Sequence, residues 1–304
     1  LWKYNVSTNE WTWMKGPNTI NDPGSYGTQG VTNPANLPPS RNETSCSWRD
    51  NAGNLWLYGG ANYGDLWKYN ISTNEWVWMH GASSPNPPAV YGTLGVAAPA
   101  NTPGGRMVYA SWTETTLSGN LWLFGGTVIG SFSDLWKYDI SINQWTWIKG
   151  PNVGNDPGNY GAKCVAANTN MPRSRLENRA RVRDTCGNFW NFGGYASGIM
   201  NDLWHYNVST NNWTWVSGDN ISGQAAVYGA QGVSAPANKP EGKYGSVAWL
   251  GNNGYIWVFG GSGSGFTNDL FRYVPDSNCV PVCTSPPLSA TATGSNVLCN
   301  GQCT

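Results

Sequence analysis

Histidine and charged side chains are scarce in this chain of 304 residues. It has two histidines, and its 17 basic and 17 acidic residues make up only 11% of the sequence. A sparse and balanced charge gives no broad basic surface for nucleic acid or for an anionic membrane. Two histidines also provide few nitrogen ligands for a transition metal. We therefore predict no nucleic-acid partner, no metal site and no cofactor.

Long hydrophobic runs are absent as well. No apolar stretch approaches the roughly 18 to 20 residues that cross a bilayer, so we predict no membrane insertion. The sequence also lacks a Gly-x-Ser-x-Gly elbow, a phosphate-binding loop and a His-Glu-x-x-His motif, and it predicts no catalytic residue. Leu1 falls inside a repeated motif, so we expect further repeats, and any export signal, upstream of it.

Tryptophan and glycine are abundant instead, with 19 and 39 residues. This mixture is typical of short strands that carry large packing side chains and are separated by tight turns. The composition therefore predicts an all-β fold.

Three short motifs recur in the same order along the chain. The first is Leu-Trp-Lys-Tyr or a close variant, and it begins at Leu1, Leu66, Leu135, Leu203 and Leu270, in steps of 65, 69, 68 and 67 residues. The second is Trp-x-Trp, which begins at Trp11, Trp76, Trp145 and Trp213. The third is a glycine pair after an apolar run, which begins at Gly59, Gly125, Gly193 and Gly260. Motifs repeated in one register indicate units that each pack on the next.

Each unit divides into four strand-sized segments, which we call a to d. Strand a begins at a basic residue after a proline-rich stretch, and strand b is an apolar run that ends at the glycine pair. Strand c is the segment of the Asp65–Tyr69 type, and strand d is that of the Glu75–Trp78 type. Four short antiparallel strands are typical of one blade of a β-propeller.

The glycine pair, the Asp-Leu-Trp-Lys-Tyr strand and the Asn-x-x-Trp strand together resemble the kelch repeat. The resemblance covers residues 1–275, although these units exceed the ~50 residues of a kelch repeat and carry the excess between strands d and a. It implies a kelch-type β-propeller of four-stranded antiparallel blades, incomplete here, with about five blades represented.

Residues 276–304 are predicted to form a linker rich in Cys, Pro, Ser and Thr and the start of a following repeat domain. The segment from Ser295 to Cys303 resembles the opening of short β-rich repeats in large bacterial surface adhesins. Disulfides are favoured over zinc in this tail because no histidine assists its cysteines, Cys279, Cys283, Cys299 and Cys303. Cys164 and Cys186 fall in one unit and are a further candidate bridge.

Antiparallel strand order places the b–c and d–a connections on one face of the predicted propeller. The b–c loops differ between units, and variable loops on a rigid repeat commonly bind partners. We therefore predict ligand contacts from the aromatic tips of these loops, Tyr63, Phe132, Tyr195 and Phe266. The alternative is that these tips cover the neighbouring blade. The d–a loops repeat a Tyr-Gly pair, and that repetition favours packing over recognition.

Basic side chains open strand a on the same face and are predicted to surround the mouth of the axial channel. They are further candidate ligand contacts, namely Arg41, Arg106, Arg175 and Lys243. The favoured alternative is that each holds its own d–a loop by donating to carbonyls. The aspartates before strand c, Asp65, Asp134, Asp202 and Asp269, are expected to accept backbone N–H bonds in turns. Arginines alternate at Arg179, Arg181 and Arg183, which indicates either an anion site or a diverged blade.

These observations favour a secreted or cell-surface interaction or adhesion module that binds a protein or glycan partner through the face with the b–c and d–a loops. The alternative is a propeller enzyme that acts on a sugar, similar to kelch-like enzymes of sialic acids or to the copper enzyme galactose oxidase. A copper site is not predicted, because His80 and His205 lie in separate units. Both occupy positions that are polar in the other units, so we expect them on the surface.

Overall fold

The computed structural model describes residues 1–43, 47–114 and 119–281. These ranges contain strands and turns and no α-helix, which confirms the all-β prediction, and they offer no helix that could cross a membrane. The strands are β1 (Trp2–Asn5), β2 (Glu10–Trp13), β3 (Ser47–Arg49), β4 (Leu55–Gly60), β5 (Tyr63–Asn70), β6 (Glu75–His80), β7 (Ala110–Thr113), β8 (Leu121–Thr127), β9 (Ser131–Asp139), β10 (Gln144–Lys149), β11 (Arg181–Arg183), β12 (Phe189–Tyr195), β13 (Ile199–Asn207), β14 (Asn212–Ser217), β15 (Val247–Leu250), β16 (Ile256–Phe259) and β17 (Leu270–Tyr273).

The strands form antiparallel sheets in which neighbours along the chain pair with each other. Three sheets have four strands each: β3–β6 is the first full sheet, β7–β10 the second and β11–β14 the third. The predicted order a, b, c, d is therefore confirmed for three units. The hairpin β1–β2 represents strands c and d of a unit, and β15–β17 represents strands a, b and c.

The glycine pair ends the second strand of the first full sheet, as predicted, and one further residue follows it in the other two full sheets. The register of β4 against β5 shifts between Tyr58 and Gly60, and the same bulge recurs in the other full sheets. Gly59 has a φ of +57°, and a Cβ there would stand 2.5 Å from the backbone oxygen of Arg106 in the next unit. Glycine is required because the backbones of two units meet at this point.

Adjacent full sheets pack through aromatic side chains. The Trp145 ring on β10 lies 5.3 Å from the Tyr58 ring of the preceding sheet, and Trp213 on β14 lies 5.2 Å from Phe124. Both tryptophans are fully buried. The first tryptophan of strand d therefore packs against the preceding unit in these two sheets.

The long d–a loops cover the outer edge of the following sheet. In the second full sheet, the Gly95 N–H donates to the Trp147 carbonyl at 2.8 Å, and the Asn101 side chain donates to the Trp145 carbonyl at 3.1 Å. Equivalent bonds hold the preceding loop on β6 and the following loop on β14. The prediction that these loops pack is confirmed, because they pair edge strands that would otherwise be exposed.

Strand a begins later than predicted. The strands start at Ser47, Ala110, Arg181 and Val247, and the basic residue lies several positions earlier. The reason is that its backbone is held by the preceding sheet: the Gly60 N–H donates to the Arg106 carbonyl at 3.0 Å, and the Arg106 N–H donates to the Tyr63 carbonyl at 3.0 Å.

The proposed bridge between Cys164 and Cys186 is wrong. Cys164, in a d–a loop, forms a disulfide with Cys279, which follows the last strand, and Cys186 takes part in another disulfide. Val280 next to this bond is buried in the apolar cluster shared by the third full sheet and β16. The tail cysteines Cys283, Cys299 and Cys303 and the adhesin-like segment lie outside the described residues.

Candidate functional site

The four predicted basic contacts lie in a repeated internal network. In the second full sheet, the Arg106 guanidinium donates to both carboxylate oxygens of Asp134, at 2.7 and 3.0 Å, and to the Gly125 carbonyl at 3.1 Å. Asp134 also accepts from the Tyr91 hydroxyl at 2.8 Å and from the Trp136 indole at 2.7 Å. One aspartate thereby joins strand c to two distant parts of the preceding d–a segment, one at Tyr91 and one at Arg106.

The other units repeat this arrangement. Arg41 and Arg175 pair with Asp65 and Asp202, whereas Lys243 donates to Asp269 and Thr267. Arg41 also donates to the Pro39 carbonyl at 3.1 Å, so the favoured alternative of carbonyl donation is confirmed there. The aspartates accept side-chain donors instead of the turn N–H groups expected: arginine, tyrosine and tryptophan converge on three of them, and Lys243 and Tyr228 on Asp269. Ligand contacts from the basic quartet stay a prediction.

Burial changes the acid–base behaviour of this network. It would lower the pKa of Arg106, but the Asp134 carboxylate outweighs it and holds that pKa above its usual value. Burial and the neighbouring Asp134 together raise the pKa of the Tyr91 hydroxyl. Within the network arginine therefore stays charged and tyrosine stays neutral at ordinary pH.

The predicted aromatic tips divide into two groups. Tyr63 and Phe132 are partly buried, with the guanidiniums of Arg41 and Arg106 at 4.8 and 4.7 Å from their ring centres. The other two are exposed: Tyr195 is 44% accessible and leans on Tyr244 at 6.4 Å between rings, and Phe266 is 96% accessible. A third exposed tip is Ile129, at 90%. The loop-tip surface below means Ile129, Tyr195 and Phe266.

A cavity of about 610 Å³ lies at the other end of the strands, where strands a and b are joined. It is bordered by the first strands of all three full sheets, since β7 lies between β3 and β11. Its lining residues are Trp48, Arg49, Asp50, Asn51, Ser111, Trp112, Thr113, Glu114, Arg181 and Arg183. Arg181 and Arg183 stand out in the sequence, but nothing in it indicates the cavity or the place of Arg49 and Glu114 at its wall.

The arginine-rich strand β11 connects to its neighbour β7. Arg181 donates through Nε to the Ser111 carbonyl at 3.0 Å, and Arg183 donates to the Thr113 carbonyl. In return the Trp112 indole donates to the Val182 carbonyl at 3.1 Å. Arg181 and Arg183 thus stand at the cavity wall.

The third arginine of the alternating set, Arg179, behaves differently. It pairs with Glu177 at 2.8 Å and with Glu43 at 2.6 Å, and it does not line the cavity. Only two of the three alternating arginines therefore belong to one candidate site.

Both histidines are buried, so their predicted surface position is wrong. The His205 ring packs 4.7 Å from Trp190, and its Nε2 lies 3.6 Å from an Asp184 oxygen. His80 lies 3.2 Å from the Pro99 carbonyl, and burial lowers its pKa. The described ranges contain no group of three His, Cys, Asp or Glu side chains that could hold a metal ion.

The sequence matches no protein-family model, and it has no match among curated proteins. The candidate sites therefore rest on this chain's own geometry.

Proposed function

We propose that this chain is a kelch-type β-propeller fragment that serves as an extracellular interaction module and binds a protein or glycan partner through the loop-tip surface. Three observations support the radial arrangement: the antiparallel four-stranded repeats, the aromatic packing between successive sheets, and the proximity of the first strands. Those strands would line the axis of the propeller.

The loop-tip surface carries the proposal. Ile129, Tyr195 and Phe266 come from the b–c hairpins of three consecutive units, and Ile129 and Phe266 are almost fully exposed while Tyr195 is about half exposed. Large apolar side chains presented together by hairpins on a rigid scaffold are a common feature of binding surfaces. The repeated Asp-centred network beneath them fixes the hairpins to their sheets.

An extracellular location is supported by the disulfide between Cys164 and Cys279. Disulfides persist in oxidising compartments and are rare in a reducing cytosol. The bond would also hold the end of the repeat region to the outer edge of the third full sheet.

The experiment measures how much of two triple variants, and of the unchanged protein, binds to a glycan array and to surface proteins immobilised for capture. The first variant is Ile129→Ser, Tyr195→Ser and Phe266→Ser, and we expect it to lose binding by about tenfold or more, as hot-spot residues do. The control is Val6→Ser, Ile71→Ser and Ile142→Ser, which removes exposed apolar side chains from the c–d turns at the opposite end of the strands and should bind normally.

Equal binding by both variants and the unchanged protein would overturn the loop-tip proposal. The propeller itself is tested separately, by electron microscopy of the purified chain. Sheets curved about an axis would support it, and sheets stacked in a line would contradict it.

A further inference from the structure

We infer that the cavity between the first strands binds a saccharide that carries a carboxylate or sulfate group. This site lies at the end of the strands opposite the loop-tip surface, so it does not depend on the function proposed above. The charges at its wall, the partners of those charges and the size of the space support this assignment.

Two exposed arginines approach the cavity from opposite sides. Arg49 ends β3 and pairs with Leu55 across the sheet, and Arg183 ends β11 and pairs with Phe189 in the same position. The sheet between them carries Thr113 at that position, so its wall offers a hydroxyl group instead of a third charge. Arginine forks bind carboxylate and sulfate oxygens with two parallel hydrogen bonds.

These two arginines have no close ion-pair partner in the described ranges, although the carboxylate of Asp184 lies near enough to Arg183 to act on its pKa. Within the described ranges, neither Arg49 nor Arg183 has a carboxylate within 4.0 Å. Arg183 gives one described hydrogen bond, to a main-chain carbonyl, although a guanidinium has five N–H donors.

The carboxylates at the wall are held by their own sheets. Asp50 accepts from the Trp56 indole at 2.8 Å and from the Asn54 amide at 2.9 Å. Glu114 likewise accepts from the Trp122 indole at 2.8 Å and from the Asn120 side chain at 3.1 Å. Their charge is therefore partly satisfied by internal donors, and the wall presents more positive than negative potential to an entering ligand.

The space and its lining favour a sugar over a peptide. A volume of about 610 Å³ is the size of ordinary small-molecule sites. The two aromatic lining residues, Trp48 and Trp112, are 3% and 5% exposed, so the wall offers little apolar surface on which peptide side chains could be buried. The Thr113 hydroxyl, which can both donate and accept, suits the hydroxyl groups of a sugar.

The test measures binding by titration calorimetry with five probes. They are a glucuronate-containing disaccharide, its sulfated form, the matching neutral disaccharide, sodium sulfate and a hexaglutamate peptide. We expect the acidic disaccharides to bind at least about tenfold more tightly than the neutral one, since charge-assisted hydrogen bonds supply that difference. Their affinity should also fall as salt is added.

Substitutions locate the site. Arg49→Gln with Arg183→Gln should weaken binding of the acidic disaccharides by about tenfold or more. The control Arg173→Gln removes an arginine from a d–a loop outside the cavity and should bind as the unchanged protein does. If the double variant fails to fold, two single variants test the same site, Arg49→Gln and Thr113→Glu. The first removes one arginine from the cavity wall, and the second places a carboxylate between the two arginines. Each should weaken binding of the acidic disaccharides.

Each remaining outcome overturns the inference. If the neutral disaccharide bound as tightly as the acidic ones, the acidic group would have no part in recognition. Equal affinity for sodium sulfate would show a simple anion site without sugar recognition, and tighter binding of hexaglutamate would indicate an acidic peptide instead. Unchanged binding by the arginine variants would place the ligand elsewhere.

Discussion

Arg175, in the segment before β11, and Asp202, on β13, form a buried, two-pronged ion pair in the third unit. Both side chains are inaccessible to solvent, and the two bonds measure 2.8 and 2.6 Å. Asp202 also accepts from the Tyr160 hydroxyl at 2.6 Å and from the Trp204 indole at 2.8 Å. Desolvation opposes such a pair, but this number of donors offsets it.

Removing one partner leaves the other charge buried. We expect Arg175→Met to lower the free energy of unfolding by about 3 to 5 kcal/mol, as broken buried pairs do. The control is Arg179→Met, because the exposed pair of Arg179 with Glu43 is expected to contribute about 0 to 1 kcal/mol. Urea unfolding of both variants measures the difference, and similar losses would contradict the structural role of the buried pair.

The strands of this fold could be predicted from the sequence because their motifs repeat. Each glycine pair, Asp-Leu-Trp strand and Trp-x-Trp strand was located within a few residues, since local pattern and turn chemistry determine them. The role of Asp202 was harder to predict, because its partner Arg175 lies 27 residues away and only the packed sheet brings them together.

The cavity could not be predicted for a similar reason. It combines Arg49, Thr113 and Arg183 from three units, and their proximity depends on how the sheets pack side by side. The burial of His205 was also missed, because its position in other units is polar. Those polar residues, Lys68 and Lys137, extend over the faces of tryptophan rings, and the imidazole packs against Trp190 in the same way.

Glycine at the contact between units is the basis of a second prediction. Gly193 has a φ of +61°, and an added Cβ would stand 2.5 Å from the Lys243 backbone oxygen. We expect Gly193→Ala to destabilise the protein by about 3 kcal/mol or more, from unfavourable φ and steric overlap together.

Gly232→Ala is the matched control for this effect. Gly232 has a φ of +81°, but a Cβ added there would have no other atom within 4 Å. Only the unfavourable positive φ affects alanine at this position, so we expect the free energy of unfolding to fall by about 1 to 2 kcal/mol. Thermal and urea unfolding compare the two, and an equal loss would show that the contact between backbones contributes nothing.

The disulfide between Cys164 and Cys279 yields a third prediction. It links positions 115 residues apart, and a long closed loop restricts the unfolded chain. We expect the free energy of unfolding to fall by about 2 to 5 kcal/mol in each of three variants: Cys164→Ser, Cys279→Ser and the double variant. The three losses should be equal, because each variant removes the same bond.

Peptide mapping of the unreduced protein gives an independent check on the pairing. A fragment containing Cys164 should be joined to one containing Cys279. Finding Cys164 joined to Cys186, or losses that add in the double variant, would refute the pairing.

Alkaline pH should destabilise the fold through its buried tyrosines. Burial raises the pKa of Tyr58 and Tyr138, and burial together with Asp202 raises that of Tyr160. Because the folded pKa exceeds the unfolded value of about 10, the stabilisation is complete below pH 10 and is lost as pH rises toward the folded pKa. Urea unfolding from pH 8 to 11.5 should show a declining free energy of unfolding, with phenolate absorbance of these rings appearing only as the chain unfolds. In Tyr138→Phe, which removes one titrating group, the free energy of unfolding should decline less steeply with pH. A free energy of unfolding that stays level to pH 11 would rule out this coupling.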